Sequence, residues 1–491
     1  MLFVNSSSFF RKLSKRIILL FFLVLFFSNV FFSQNSSFDS TQILHAKLKK
    51  HISEGLQFLE KTQRKQTIHD SIYSGEWQTL MCLRNSFLLL GHKRDIEDSN
   101  CFSVASTHNF LARIYLNYPE YRNIQPILDL SFQRILAYRN GNYFNFWNLL
   151  LPFRDLKKND SLWTKTLVRR PTNYYLGNRY IHNAANIVDD ADDSSMSFTA
   201  MLLRKKILNR DSISSSFLTD SIQLSSVFSN YRDLNRKNRH WYNYVFGNDH
   251  NTGAFVTWLG NEYQFKHWNI VSVLGHNATF FLPFSECFPH PYVPYIPYGS
   301  NDLDAVVNSN ILTALSYKNE LNAEGASDAI KYIEKKTEKR NYNRVGFYYP
   351  NRFHFAYSVS QSYASGVADL EQSTKNILKF VLRKQLENGS WKARRVLNKH
   401  DRIQSTAYAL NALIYMGNFE KNQTKIPIEK GLNYLFQNAT FDENGCHWKG
   451  GVFFSGGTVV RNTLTWKSDA YTTALILNAF ANYAKYIEQK Y

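Results

Sequence analysis

Apolar positions recur every three or four residues along much of this chain, the spacing that draws one apolar stripe down a helix. The clearest stripes run through Gly55-Leu-Gln-Phe58-Leu59, Phe132 to Leu136, Ala329-Ile-Lys-Tyr332-Ile333, Ile377-Leu-Lys-Phe380-Val381 and Gly431-Leu-Asn-Tyr434-Leu435. Each predicts an amphipathic helix with one face on a core. A weaker stripe falls somewhere in 212–233, where Ser-rich sequence blurs the period. Between the stripes lie segments of a second kind: Ser103–Leu116, Asp193–Arg204, Asp304–Leu315, Phe355–Ala364, Gln404–Met416 and Asp469–Tyr486. Small residues and Leu cover these on all sides, which predicts helices packed closely on most faces and therefore buried.

A glycine followed within three residues by an aromatic separates the two kinds. It recurs as Gly75-Glu-Trp77, Gly141-Asn-Tyr143, Gly253-Ala-Phe255, Gly346-Phe-Tyr348, Gly389-Ser-Trp391 and Gly445-Cys-His-Trp448. Asn or Ser precedes most of these glycines, as a turn needing positive φ prefers. Six pairs of one amphipathic and one buried helix predict two concentric rings, an all-α (α/α)6 toroid over residues 34–491. A straight solenoid is the structural competitor, but six copies close on themselves and need no caps.

Closure places the N-termini of all inner helices at one mouth. The residues opening those helices are Asp190, Asp192 and Asp193, then Asp302 and Asp304, then Asp401, then Asp469. The densest point is Asp189-Asp190-Ala-Asp192-Asp193. Four carboxylates in five residues repel one another inside a helix, yet a helix N-terminus tolerates them. So crowded a set does not fully ionise, and one member keeps its proton. The bland alternative is an over-decorated cap on a solvated loop.

The first 33 residues change the picture of where the protein works. Arg11, Lys12, Lys15 and Arg16 precede an apolar run from Ile17 to Phe27 that continues almost to Phe32. This is the pattern of a secretory signal peptide, with an uncleaved membrane anchor as the alternative. The expectation is an exported protein of the periplasm or cell surface. The net charge of +19 falls to about +15 without the leader. It is dispersed, without a nucleic-acid motif, so it reads as a solvated face, with peripheral membrane contact as one use. Cys82, Cys101, Cys287 and Cys446 form neither a disulfide scaffold nor a metal-ligand spacing. Cys82 and Cys101 are near enough in sequence to pair in an oxidising compartment. Residues 239–300 are aromatic and broken by prolines, which predicts a loop over the mouth, either a lid or a surface ornament.

The segment Leu382-Arg-Lys-Gln385-Leu-Glu-Asn-Gly389-Ser-Trp391 resembles the QW repeat of the terpenoid cyclase and prenyltransferase toroid family, with Gln63 and Gln437 near the equivalent place in other copies. Within that family, Asp190-Ala-Asp192-Asp193-Ser-Ser-Met196 is similar to the DxDD motif of class II terpene cyclases, there often extended as DxDDTAM. The resemblance implies that Asp192 is a general acid protonating an alkene or epoxide, that Asp190 and Asp193 tune it, and that the substrate is an isoprenoid or related lipid. It implies no cofactor. Asp189, Asp190 and Asp193 also fit a DDxxD pattern suited to Mg²⁺, as an alternative. Zinc-dependent prenyl transfer is not expected, since Cys446 and His447 are adjacent and no Asp-x-Cys accompanies them.

Two other classes stay open. An exported, acid-rimmed toroid suits a glycoside hydrolase or polysaccharide lyase, pairing Asp192 with Asp304 or Asp401 and stacking sugars on Trp241, Trp258 or Trp268. A non-catalytic binding toroid is the third. Among the histidines His400, next to Asp401 at an inner-helix start, is the leading candidate for a site role.

Overall fold

In the computed structural model the described residues are 41–68, 71–83, 94–150, 167–173, 189–211, 218–234, 249, 251–259, 303–339, 342–343, 345–346, 348–417, 422–456, 462 and 464–490. The leader, Asp302, Trp241, Trp268, Cys287 and most of 239–300 lie outside them.

The principal helices among the described residues are α1 (41–62), α2 (Cys101–Asn117), α3 (Ile124–Leu136), α4 (Ala191–Arg210), α5 (Leu224–Ser229), α6 (Ala305–Lys318), α7 (Ala326–Thr337), α8 (Arg352–Ala364), α9 (Glu371–Arg383), α10 (Asp401–Tyr415), α11 (Asn422–Gln437) and α12 (Asp469–Lys490). Helices α2, α4, α6, α8, α10 and α12 pack each against the next, and α12 returns to pack against α2. That closed circuit is the inner ring of an α/α toroid. The amphipathic helices lie outside it: α3 on α2, α5 and α7 on α6, α9 on α8, α11 on α10.

The inner helices approach closely because hydroxyl side chains bond within their own helix. Ser309 donates to the Ala305 carbonyl (2.8 Å), Thr313 to Ser309 (3.0 Å) and Ser360 to Ala356 (2.8 Å), so these small polar groups are buried with their hydrogens satisfied. The turns repeat one device. The indoles of Trp77, Trp391 and Trp448 each donate, at 2.8 Å, to a carbonyl of the preceding outer helix (Leu59, Val381 and Leu435). The backbone N–H of Trp391 and of Trp448 then donates to Thr406 and Thr473 on the next inner helix, both at 3.1 Å. The aromatic thus pins outer to inner helix. Gln385 ties the turn to the following outer helix, donating to the carbonyls of Gly389 (2.9 Å) and Pro427 (2.8 Å). Gln63 does the same through Ile127 (2.9 Å).

One feature is absent from the all-helical expectation. A four-stranded antiparallel sheet is built from β1 (Leu80–Leu83), β2 (Arg94–Glu97), β3 (Val452–Gly456) and β4 (Leu464–Lys467), in the order β2-β1-β4-β3. It joins the first copy to the last and lies over the mouth: Ser455 donates its N–H to the Tyr348 carbonyl (2.8 Å), and the Phe454 ring stacks on Tyr348. A cover therefore comes from this sheet; the loop expected at 239–300 lies mostly outside the described residues. Cys82, on β1, and Cys101, at the start of α2, are both free thiols. No helix among the described residues is long and apolar enough to cross a membrane.

Candidate active site

Asp190 caps α4: its backbone is extended, and its carboxylate accepts the Asp193 N–H at 2.8 Å. Capping turns the chain so that Asp189, Asp190, Asp192 and Asp193 are all buried, not displayed on a solvated loop. Residues 257–259 hold this corner through the backbone. Ala191 donates to the Thr257 carbonyl (2.7 Å), Leu259 donates to Asp189 (2.8 Å), and Trp258 bridges Asp190.

The four carboxyls have different surroundings. Asp189 accepts from Asn140 (2.7 Å) and Asn145 (3.1 Å). Burial raises both Asp190 and Asp193; the Asp190 charge and carboxyl favour the acid form of Asp193, and Asp193 in turn draws Asp190 back down. Asp192 is turned toward the neighbouring copies. Its Oδ1 accepts from Asn310 of α6 at 2.8 Å, and its Oδ2 accepts from the Tyr349 hydroxyl. Burial pushes Asp192 up to about 8; the Tyr349 hydrogen bond opposes this, the Asp190 charge adds to it, the Asn310 bond opposes it and Asp304 adds to it. Asp192 is thus a carboxylic acid at neutral pH, with two donors ready to stabilise its anion.

Aromatic side chains surround the Tyr349 contact. The ring meets His354 edge-on with centroids 4.3 Å apart, and Phe102 and Phe454 lie at 5.8 and 5.7 Å. His354 stacks on Tyr408 at 4.3 Å. Burial pushes this imidazole down to about 3, so it is neutral at any working pH. Trp258 stands edge-on to Tyr348, with its indole N–H unpartnered.

The structure gathers Asp189, Asp190, Asp192, Asp193 and Trp258, with Asp304 near enough to act on Asp192 by its charge. The other rim residues serve the backbone. Asp304 caps α6, accepting from Val306 (2.8 Å), Val307 (3.4 Å) and Tyr348 (3.3 Å). Asp401 accepts from Leu397 (2.5 Å), Asn398 (2.8 Å) and Val452 (2.9 Å), anchoring β3. Asp469 accepts from Gly450 N–H (2.7 Å) and pairs with Lys449 (2.9 Å) at a partly exposed position. His400 is only half-buried and precedes α10. Asn310 and Tyr349 are the site residues that reading the sequence misses.

Among the described residues no three His, Cys, Asp or Glu side chains gather to hold a metal. The reason is local: Asp189 faces asparagines, Asp190 faces its own helix amides, and Asp193 faces Asp190. The Mg²⁺ alternative on these three residues is not supported.

No protein-family model matches the sequence, and no curated protein is similar to it. The fold does have solved relatives. A substituted form of the type II terpene cyclase MstE from Scytonema, in complex with its product merosterolic acid A, aligns over 90% of this chain and 99% of its own, at 12% identity and a TM-score of 0.52. Another substituted form, holding the substrate geranylgeranyl dihydroxybenzoate, aligns over 91% and 99% at 11% identity and a TM-score of 0.50. Cellobiose 2-epimerase from Bacillus thermoamylovorans aligns over 91% and 100% at 9% identity and a TM-score of 0.49. The chain has a terpenoid-cyclase-like α/α toroid fold.

Proposed function

We propose that this protein is an exported isomerase of the terpenoid-cyclase type, which starts the cyclisation or isomerisation of an isoprenoid by proton transfer from Asp192. One observation carries the reading: a buried aspartic acid, held by Asn310 and by a Tyr349 hydroxyl whose ring lies in an aromatic cluster, where burial favours its protonated form. Protonating an alkene needs an acid whose anion is stabilised as the proton leaves, and the Asn310 amide and Tyr349 hydroxyl supply that stabilisation. The Asp190 charge beside Asp192 helps to hold its proton in place until substrate accepts it. The carbocation that forms is attracted to ring faces, here those of Tyr349, Phe102, Phe454 and Tyr348. Loss of a proton from the cation gives a product isomeric with the substrate.

The glycan reading requires a second carboxyl acting with Asp192. Asp304 and Asp401 are engaged by backbone amides, which favours the isoprenoid reading. The test is incubation of purified protein with geranylgeranyl dihydroxybenzoate, prenyl diphosphates and polyprenes, and in parallel with neutral and acidic glycans. Wild type should give a cyclised product of unchanged mass, and Asp192→Asn should give none while remaining folded. Shortened or epimerised glycans, lost in the variant, would transfer the protein to the carbohydrate class.

A further inference from the structure

At the far end of the toroid from Asp192, where the inner helices finish, a cavity of about 550 Å³ opens beside the last turns of α4, α6 and α8. Its volume lies in the range of small-molecule sites. Lys206, Ser316, Tyr317, Asn319, Asn322 and Ser365 contribute to its walls, and no carboxylate lines it. The wall at Ser365 and Gly366 is fixed: Ser316 donates to the Ser365 carbonyl at 2.8 Å, and a Cβ on Gly366 would meet Ser316 Oγ at 2.9 Å.

Two cations converge on Tyr317. The exposed Lys206 places its ammonium 3.9 Å from the centre of the Tyr317 ring and has no carboxylate in ion-pair range among the described residues. Behind the ring lies Arg113 of α2, only 8% exposed and likewise without a carboxylate partner among them. Arg113 donates to the Asn109 carbonyl (3.3 Å), and its Nε finds no acceptor. With the Gln361 amide turned to satisfy both its ends, its oxygen also accepts from this guanidinium. Burial acts against the Arg113 charge, and the phenols of Tyr317, Tyr415 and Tyr357 outweigh it.

The consequence falls on the Tyr317 hydroxyl. Its oxygen accepts from Ser365 Oγ (3.2 Å), and the Arg113 guanidinium lies near enough to act on it by its charge. Burial would raise this phenol, but the Arg113 charge prevails and draws it below its ordinary value. The phenol hydrogen is left to donate, and the nearby Arg113 charge strengthens it as a donor. Lys206, Tyr317 and the amides of Asn319 and Asn322 are therefore donors around a cavity without an acid. We propose that this cavity binds an oxyanion of the phosphate class, as free phosphate or as the head of a small phosphomonoester, held chiefly by the Lys206 ammonium and the Tyr317 hydroxyl. The competing account is that both cations only offset the carbonyl ends of α4, α6 and α8, which carry partial negative charge.

The two accounts separate by titration of the full chain, at constant ionic strength, with inorganic phosphate, glycerol 1-phosphate and acetate, read by calorimetry and thermal melting. Saturable phosphate binding is expected, unchanged in Asp192→Asn and weakened about tenfold or more in Lys206→Met and in Tyr317→Phe, each losing one charge-assisted contact. Equal affinity for the two phosphates marks a free-phosphate site, and tighter glycerol 1-phosphate marks a phosphomonoester site. Absence of saturable binding, or binding identical in wild type and both variants, overturns the proposal. Acetate binding as tightly as phosphate overturns the phosphate class. Lys206 is exposed and Tyr317→Phe removes a single oxygen, so both variants should fold. The site stands or falls independently of the reading at Asp192.

Discussion

At the scale of single residues, the chemistry turns on how Asp192 is kept protonated and yet able to let its proton go. Burial and the neighbouring carboxyls hold the proton, while Tyr349 and Asn310 pull the other way. Tyr349→Phe removes one of the stabilising donors, so Asp192 becomes a weaker acid. Turnover should fall by about ten- to a hundredfold, and the alkaline limb of the rate profile, set in wild type near pH 8, should move upward. Stability carries the same signature. Asp192 is raised from 3.8 to about 8, so the unfolded chain gives up a proton that the folded chain retains. Its contribution is fully present below pH 3.8 and is lost as pH rises through about 8. Asp192→Asn escapes that loss. Its melting temperature should exceed that of wild type at pH 8 by the equivalent of roughly 1–3 kcal/mol, and the gap should close toward pH 5. A variant less stable than wild type at pH 8 would show that this carboxyl is ionised in the fold.

At the scale of elements, the turn glycines Gly75, Gly253, Gly389 and Gly445 abut the next outer helix, whereas Gly141 and Gly346 do not. Gly389 has φ +83°, and a Cβ there would sit 2.3 Å from the Lys430 carbonyl oxygen of α11. Gly389→Ala should therefore cost about 2 kcal/mol or more in a urea titration, combining strained backbone with a contact that cannot relax cheaply. This logic was legible in the sequence: the glycine–aromatic spacing marks every turn, and the small-residue segments mark the inner ring to within a few residues. The Asp cluster was legible too, because its members are contiguous. Its partners were not, because Asn310 and Tyr349 stand 118 and 157 positions from Asp192 and meet it only once the copies close. The sheet escaped notice for the same reason. Strand β1 is four residues long and pairs with β4, some 380 positions later, which no local period reports. The weak stripe in 212–233 falls on a single turn at Leu218–Ser221 and on the six residues of α5, both short helices in Ser-rich sequence.

At the scale of the molecule, the seam between the last and first copies makes the toroid closed. The turn glycine Gly445 abuts the Glu54 carbonyl of α1, where a Cβ would approach to 2.4 Å, and β4 pairs with β1 across the same seam. No disulfide reinforces it among the described residues: Cys82, Cys101 and Cys446 are free and buried. Alkylation under denaturing, non-reducing conditions should therefore modify Cys82, Cys101 and Cys446, whereas the folded protein should resist the reagent. A Cys82–Cys101 crosslink in that digest would contradict the separation of β1 from α2. Closure also gives the molecule two chemically distinct ends, an acidic aromatic mouth covered by the sheet and a basic cavity where the inner helices finish. The central claim concerns the mouth, and its most direct test is turnover of geranylgeranyl dihydroxybenzoate and a polyprene panel in D₂O, read by mass spectrometry. Proton transfer from an Asp192 carboxyl exchanged with solvent predicts a cyclised product carrying one deuterium at the initiating carbon, absent with Asp192→Asn. Product free of deuterium, or product formed equally well by the variant, would contradict it.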